Sequence, residues 1–183
     1  MIKIILKLVV FLFLFSGVVI VTFLFAAKVG NVWAEHQLGN IYARDGFTQD
    51  YVQAEKWYRR AAEQGDVDSQ WNLGVMYDIG RGVVHNDKEA VKWYRLAAER
   101  GDAKAQNNLG WMYHEGQGVE KSYSMAMQLL QLAAKQGLTE AQNNIGEMYH
   151  AGQGVKKDDV EAVKWYRLAT EHMLKKLDVD AKK

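Results

Sequence analysis

One sequence block returns four times along the chain, with a period of about 36 residues. A Leu-Gly or Ile-Gly dipeptide marks each block, at positions 38–39, 73–74, 109–110 and 145–146, and a Tyr follows each Gly by three residues. Aromatic pairs recur in step: Trp57-Tyr58, Trp93-Tyr94 and Trp165-Tyr166, with Leu129-Leu130 in place of the third pair. Self-similarity at this spacing predicts a solenoid, in which each repeat packs on its neighbours, and not a globular enzyme domain.

The spacing of apolar residues predicts two helices in each repeat. In the third block, Ala105, Leu109 and Tyr113 are four residues apart and share one face of a helix, here called helix A. Helix A should end at Gly116 and Gly118, which can take the positive φ values of a tight connection.

The second helix of each repeat, helix B, is clearest in the second block. Asp87 is predicted as its N-cap, Tyr94 lies in a stripe of Ala residues, and Gly101 is the expected terminator. Asp158-Asp159 is likewise interpreted as a helix cap. Helix B of the fourth block has Met173 where that Gly belongs, so it should run on through Leu177, with a frayed tail from residue 178 to 183.

A glycine recurs in the middle of helix A, at positions 39, 74, 110 and 146. A mid-helix Gly costs about 1 kcal/mol relative to Ala, so its return in every block requires a compensating role in packing. We expect the missing side chain to let a neighbouring helix approach closely.

Composition excludes several classes of function. The chain has 183 residues, with 23 basic against 22 acidic side chains, and no block carries a basic stripe for nucleic acid. Because Cys is absent, the chain has no disulfide, thiolate metal site or Cys nucleophile. No catalytic or phosphate-binding motif is present, so no enzymatic activity and no cofactor are predicted. His114 and His150 occupy equivalent positions in adjacent blocks, where a metal pair is a weaker alternative to helix-end polar residues.

The first 30 residues are predicted to be a signal-anchor segment. Leu8–Ala27 is a run of 20 uncharged residues, which as a helix spans about 30 Å, the thickness of a bilayer core. Lys3 and Lys7 precede the run, so the positive-inside rule leaves the N-terminus in the cytoplasm and the repeats on the extracytoplasmic, periplasmic side. The alternative is a signal peptide cleaved after Ala27 or Ala34, which gives a secreted protein.

The second block shows a resemblance to the Sel-1-like repeat family, relatives of tetratricopeptide repeats. The matching residues are Leu73-Gly74, Tyr77, Gly80-Arg81-Gly82-Val83, Asp87, Ala90, Trp93-Tyr94, Ala97-Ala98 and Gly101. The resemblance extends over about residues 34–173. It implies an all-α fold, a right-handed α-solenoid of four repeats at 31–66, 67–102, 103–138 and 139–174, followed by a tail at 175–183.

By the same resemblance, helix A lines the concave surface, so its variable positions should face a groove. Trp71 and Trp111 lie outside the repeat pattern, and aromatic residues in grooves are typical interface anchors; the alternative is that either Trp fills a gap between repeats. The predicted groove residues are Trp71, Val75, Asp78, Asn107, Asn108, Trp111, His114, Asn143, Asn144, Glu147 and His150.

The resemblance also implies a function. Members of the family are adaptors and assembly factors, so the chain is predicted to be a membrane-anchored scaffold that binds a protein or peptide in the groove. An inhibitor or immunity-type protein with one cognate partner would use the same groove. Some cysteine-rich members are linked to β-lactam binding or hydrolysis, but their disulfide framework is missing here.

Overall fold

The computed structural model describes residues 19–44 and 49–181. Within these ranges the chain is helical, without β-strands, and residues 19–28 form a helical segment that precedes eight complete helices. These are α1 (Val32–Ala43), α2 (Tyr51–Glu63), α3 (Val67–Ile79), α4 (Asp87–Glu99), α5 (Ala103–Glu115), α6 (Tyr123–Lys135), α7 (Thr139–Ala151) and α8 (Asp159–Ala181).

The helices stack in chain order. Helices α1, α3, α5 and α7 are helix A of successive repeats, and each packs on its own helix B and on the helix B before it where there is one. Neighbouring A helices α1 and α3, and α3 and α5, also approach each other directly, more closely than the described B helices do. The A helices therefore lie on the inner side of the array. The prediction of an all-α helical-repeat solenoid is confirmed.

Helix A and helix B of each repeat are in close contact at the mid-helix glycine. A Cβ on Gly74 would lie 2.4 Å from Cδ1 of Tyr94 in helix B. The same contact joins Gly39 to Tyr58 and Gly146 to Tyr166, whereas a Cβ on Gly110 would meet Leu130 at 3.1 Å. The expectation of a close approach is confirmed, and the aromatic ring of helix B fills the missing side-chain volume.

A glycine in the connections of repeats two, three and four is fixed by two separate constraints. Gly118 has φ +65°, and a Cβ there would lie 2.4 Å from the backbone of Asp87 at the start of the preceding helix B. The connection therefore needs Gly both for its backbone angle and for its contact with the neighbouring repeat.

The cap of α4 lies one residue before the predicted position. Asn86 has extended backbone angles and its side chain accepts from the amide of Glu89 at 3.2 Å, while Asp87 is the first helical residue. Asp87 thus contributes negative charge to the first turn instead of a cap. At α8, Asp158 caps the helix as predicted, because its carboxylate accepts from the amides of Val160 and Glu161.

A buried Gln connects each repeat to the one before it, a feature the sequence interpretation missed. Gln70, Gln106 and Gln142 are at most 5% exposed. Their side-chain amides donate to the carbonyls of Ala62, Ala98 and Ala134, at 3.0, 3.2 and 3.3 Å respectively. The signal was available, since the three Gln residues return at the repeat spacing.

The helical segment at residues 19–28 packs on the first repeat. Ile20, Phe23 and Ala26 contact a cluster formed by the fully buried Ala27, Ala34 and Leu38. The guanidinium of Arg60 donates to the carbonyl of Ala27 at 3.0 Å and lies 2.7 Å from the buried carboxylate of Glu35. The end of the predicted membrane span is thus partly covered by protein.

No helix within the described ranges is long and apolar enough to cross a bilayer. Residues 8–18 of the predicted span lie outside those ranges. The membrane-spanning segment stays a prediction.

Helix α8 continues past Met173, as expected from the missing glycine, and reaches Ala181. The predicted tail is helical up to Ala181. The prediction of a frayed end is therefore wrong for residues 178–181. Val163 of α8 is 54% exposed, whereas Val91 at the same position of α4 is 5% exposed because α5 covers it. The outer apolar face of the last described helix is uncovered.

We expect Gly74→Ala to destabilise the fold by about 1–3 kcal/mol, because the new methyl group must displace the Tyr94 ring and overpacking outweighs the gain in helix propensity. Gly110→Ala is the matched control, and it should cost less because Leu130 leaves more room. In a Tyr94→Leu background, Gly74→Ala should cost less than it does in the natural protein, because the ring that the methyl group displaces is gone. Urea unfolding measures all three, and equal costs at Gly74 and Gly110 would contradict the packing argument.

Candidate functional site

Six of the eleven predicted groove residues lie around a single pocket on the inner face of the array. The pocket has a volume of about 380 Å³ and is contributed by repeats two, three and four. We call it the groove pocket. It is lined by the predicted Asp78, Asn107, Asn108, Trp111, Asn144 and Glu147, together with Met112 and Gln117, which the sequence interpretation missed.

Two sets of side-chain hydrogen bonds lie along this pocket, one among the Asn residues of repeats three and four and one within repeat two. The Asn144 amide donates to Asn107 Oδ1 at 2.9 Å, and the Asn107 amide donates to Asn108 Oδ1 at 3.4 Å. On the repeat-two side, the Tyr94 hydroxyl donates to Asp78 Oδ2 at 3.1 Å. The bonds among the Asn side chains fix the orientation of all three Asn amides.

Tyr94 is the residue at this site that the sequence interpretation assigned only to packing. Its ring is fully buried against Gly74, and its hydroxyl, also buried, bonds the Asp78 side chain that lines the pocket. Burial raises the pKa of Tyr94 well above its ordinary value, and the negative charge of Asp78 raises it further. The hydroxyl therefore stays protonated and donates to Asp78 at neutral pH.

Trp111 is the exposed aromatic residue of the pocket. It is 40% exposed, and the ring of His114 stacks against it with centroids 5.1 Å apart and an interplanar angle of 14°. His114 is itself 8% exposed, with Nδ1 2.6 Å from Glu115 Oε1 and Nε2 2.7 Å from Gln153 Oε1. His114 supports the indole from behind and does not line the pocket.

Trp71 and Val75 lie outside the pocket, although both were predicted to face the groove. Both are half-buried and pack against the apolar cluster formed by α4 and α5. The ammonium of Lys104 lies 4.8 Å from the centre of the Trp71 ring. This position matches the alternative interpretation, in which Trp71 fills a gap between repeats.

Asn143 and His150 are exposed and do not line the pocket either. His150 Nδ1 lies 2.6 Å from Asp159 Oδ1, so the two predicted histidines bind different partners and do not form a pair. The described part of the chain contains no group of three or more His, Cys, Asp or Glu side chains arranged to hold a metal ion.

The model of the Sel1 repeat family matches the chain four times, at residues 34–66, 67–102, 103–138 and 139–172. This chain is a Sel1 repeat protein. Such proteins are generally scaffolds that bind protein partners and are typically not enzymes. None of the curated proteins matches the chain significantly.

Solved structures of other Sel1 repeat proteins are similar to this chain. A protective antigen of uropathogenic Escherichia coli strains displays a Sel-1-like repeat (SLR) fold and is 43% identical to this chain, with a TM-score of 0.78. The match covers 81% of this chain and 32% of the antigen. A Sel1 repeat protein from Oxalobacter formigenes is 42% identical with a TM-score of 0.71, covering 77% of this chain and 58% of its own. One from Klebsiella pneumoniae, described as a sel1 repeat protein, is 25% identical with a TM-score of 0.61, covering 82% and 73%. The Sel1 repeat protein described here thus spans about a third of the first of these chains and just over half of the second.

We expect Tyr94→Phe to destabilise the protein by about 0.5–1.5 kcal/mol at pH 8, because the hydrogen bond to Asp78 is lost while the ring is kept. The raised pKa means that the folded state holds the Tyr94 proton above pH 10, about where an unfolded Tyr loses it. The stabilisation is therefore complete below pH 10 and is lost as the pH rises further. Urea unfolding at pH 8 and pH 11 should show the deficit of the variant shrinking at the higher pH. An equal deficit at both values would contradict this account.

Proposed function

We propose that this Sel1 repeat protein is a membrane-anchored, non-enzymatic scaffold that holds an extended segment of a partner protein in the groove pocket. The observation that carries the proposal is the convergence of variable helix A residues from three repeats on one cavity with an exposed indole. Asp78, Trp111 and Glu147 differ from the residues at the same positions of the other repeats, so the repeat architecture does not itself require them. Asn108 and Asn144, in contrast, recur at one repeat position.

The pocket offers both parts of a typical peptide site. Trp111 provides apolar surface at its centre, and large aromatic residues contribute most strongly to protein interfaces. Around it, the amides of Asn107, Asn108 and Asn144 retain hydrogen-bonding groups beyond those used within their own chain of bonds. Such amides can bind the N–H and C=O groups of an extended backbone.

The site is also preorganised. Trp111 is held by His114, which is fixed by Glu115 and Gln153, and the Asn amides are fixed by one another. A partner would therefore order few groove side chains on binding, which lowers the entropic cost of association. The volume of about 380 Å³ is enough for one or two side chains of the partner.

The anchor is supported by the uncharged run Leu8–Ala27 and by the Lys residues that precede it. The packing of residues 19–28 on the first repeat would place the array beside the membrane surface, with no free linker between them. A secreted form, produced by cleavage of the leader, is the alternative.

The groove proposal predicts where a partner makes contact. With a photo-crosslinking amino acid at position 111, irradiation of the cells that produce the protein should trap a specific partner. The same amino acid at Leu132, which is 47% exposed on helix B of the third repeat, is the matched control. Mass spectrometry of the adducts identifies the partner.

The adduct from position 111 should decrease when Asn108→Leu is introduced, while the melting temperature stays within a few degrees. Equal adducts from positions 111 and 132 would mean that the inner face has no special role.

The anchor predicts the behaviour of the leader. Full-length protein should sediment with membranes and resist extraction at alkaline pH, with an intact mass that includes residue 1. Leu14→Arg should weaken insertion, because Arg at the centre of a span costs about 2.5–3.5 kcal/mol, whereas Leu14→Ile should have no effect. A shortened mature mass with release into the soluble fraction would establish the secreted alternative instead.

A further inference from the structure

The groove pocket carries charge of one sign. Asp78 and Glu147 line it, together with amide, indole and thioether side chains, and no Lys, Arg or His lines it. The two acids come from repeats two and four, on either side of Asn107, Asn108 and Trp111 from repeat three.

Neither carboxylate is neutralised by a basic group. Within the described ranges, no Lys, Arg or His nitrogen lies within 4.0 Å of Asp78 or Glu147. Asp78 instead accepts from the neutral Tyr94 hydroxyl, and the charge of Glu147 adds to the effect of burial in raising the pKa of Tyr166. Elsewhere the protein pairs two of its covered acids with arginines, Glu35 with Arg60 and Glu55 with Arg59. The negative charge of the pocket is therefore available to a ligand.

The indole between the two acids adds a second attraction for a cation. A positive group over a Trp ring is stabilised by the ring quadrupole, most strongly when it is shielded from water. Three other indoles of the protein already have such a group: Arg60 lies 5.0 Å from the ring centre of Trp57, Lys104 4.8 Å from Trp71 and Lys92 5.2 Å from Trp93. Trp111 has the His114 ring as its stacking neighbour and otherwise lines the pocket.

We propose that the groove pocket selects a basic side chain on the extended segment that it holds, and that it prefers Arg to Lys. The inference rests on the proposed function and specifies its ligand. A planar guanidinium stacks on the Trp111 indole and donates to the carboxylate oxygens of Asp78 and Glu147, while the Asn carbonyls accept its remaining N–H groups. An ammonium satisfies the charge but makes no planar stack.

The test titrates a peptide into full-length protein in a neutral detergent and measures binding by calorimetry. The peptide is a hexapeptide with capped ends in which the dipeptide Arg-Ser is repeated three times. The peptide in which citrulline replaces each Arg is the matched ligand, since citrulline keeps the shape and removes the charge. The Arg peptide should bind at least tenfold more tightly than the citrulline peptide, and the Lys peptide should lie between them. Equal binding of the Arg and citrulline peptides, or no binding of the Arg peptide, would overturn the proposal.

Protein variants separate the pocket from the general field of the molecule. Asp78→Asn with Glu147→Gln should weaken the Arg peptide at least tenfold, while circular dichroism and the melting temperature report that the fold is kept. Glu63→Gln with Glu99→Gln removes the same two charges from exposed positions on helices B and should leave binding nearly unchanged. Equal weakening by the two double variants would show a non-specific electrostatic effect and refute the site.

Crosslinking separates this inference from the function on which it rests. If position 111 traps a partner but the Arg peptide does not bind, the groove function stands and the charge preference is wrong. If neither occurs, the groove function itself fails.

Discussion

The contact between the glycine in the middle of helix A and the ring of helix B sets the geometry of each repeat. In three repeats a tyrosine ring lies where the glycine has no side chain, as Tyr94 does against Gly74, so the two helices approach closely. The ring passes beneath helix A, and in the first two repeats its hydroxyl reaches a polar side chain of helix A, Asn40 or Asp78. A core contact therefore also determines the chemistry of the inner surface. The third repeat has Leu130 instead, and it contributes Trp111 and two Asn residues to the groove pocket.

Connections between repeats depend on buried polar groups as well as on apolar packing. The side-chain NH2 groups of Gln70, Gln106 and Gln142 donate to carbonyls of the preceding helix B. These buried bonds hold neighbouring layers in one register because a shift would leave the buried N–H donors unpaired. The groove pocket is built from three such layers. Its preorganisation thus follows from the rigidity of the array, and the first layer continues that array towards the N-terminal segment through Arg60, Glu35 and Ala27.

Much of the fold could be predicted from the sequence because each repeat restates the same local pattern. Apolar spacing located both helices of a repeat, and the recurring glycine correctly indicated a close helix contact.

The candidate site was harder to predict from the sequence than the fold. Asp78, Trp111 and Glu147, which line the groove pocket, were selected because they vary along a helix face. The same criterion also selected Trp71, whose ring packs on the core, and His114, which supports Trp111 from behind. Side-chain direction within a shared face depends on neighbouring layers, which no single repeat specifies. Tyr94 was missed for the opposite reason, since a residue that recurs was assigned to packing alone. The frayed tail was wrong because α8 stays helical beyond the last repeat.

The position of the tyrosine hydroxyl has a consequence for how such arrays diversify. In the first two repeats the whole tyrosine side chain is buried, but its hydroxyl holds a polar side chain of helix A, Asn40 or Asp78. Exchanging Tyr for Phe would therefore release that polar side chain while leaving the shape of the core unchanged. The polar side chains of the inner face can therefore change one repeat at a time while the packing of the helices is kept. A repeat without the Tyr, as the third one is, places no such constraint on the neighbouring residue of helix A.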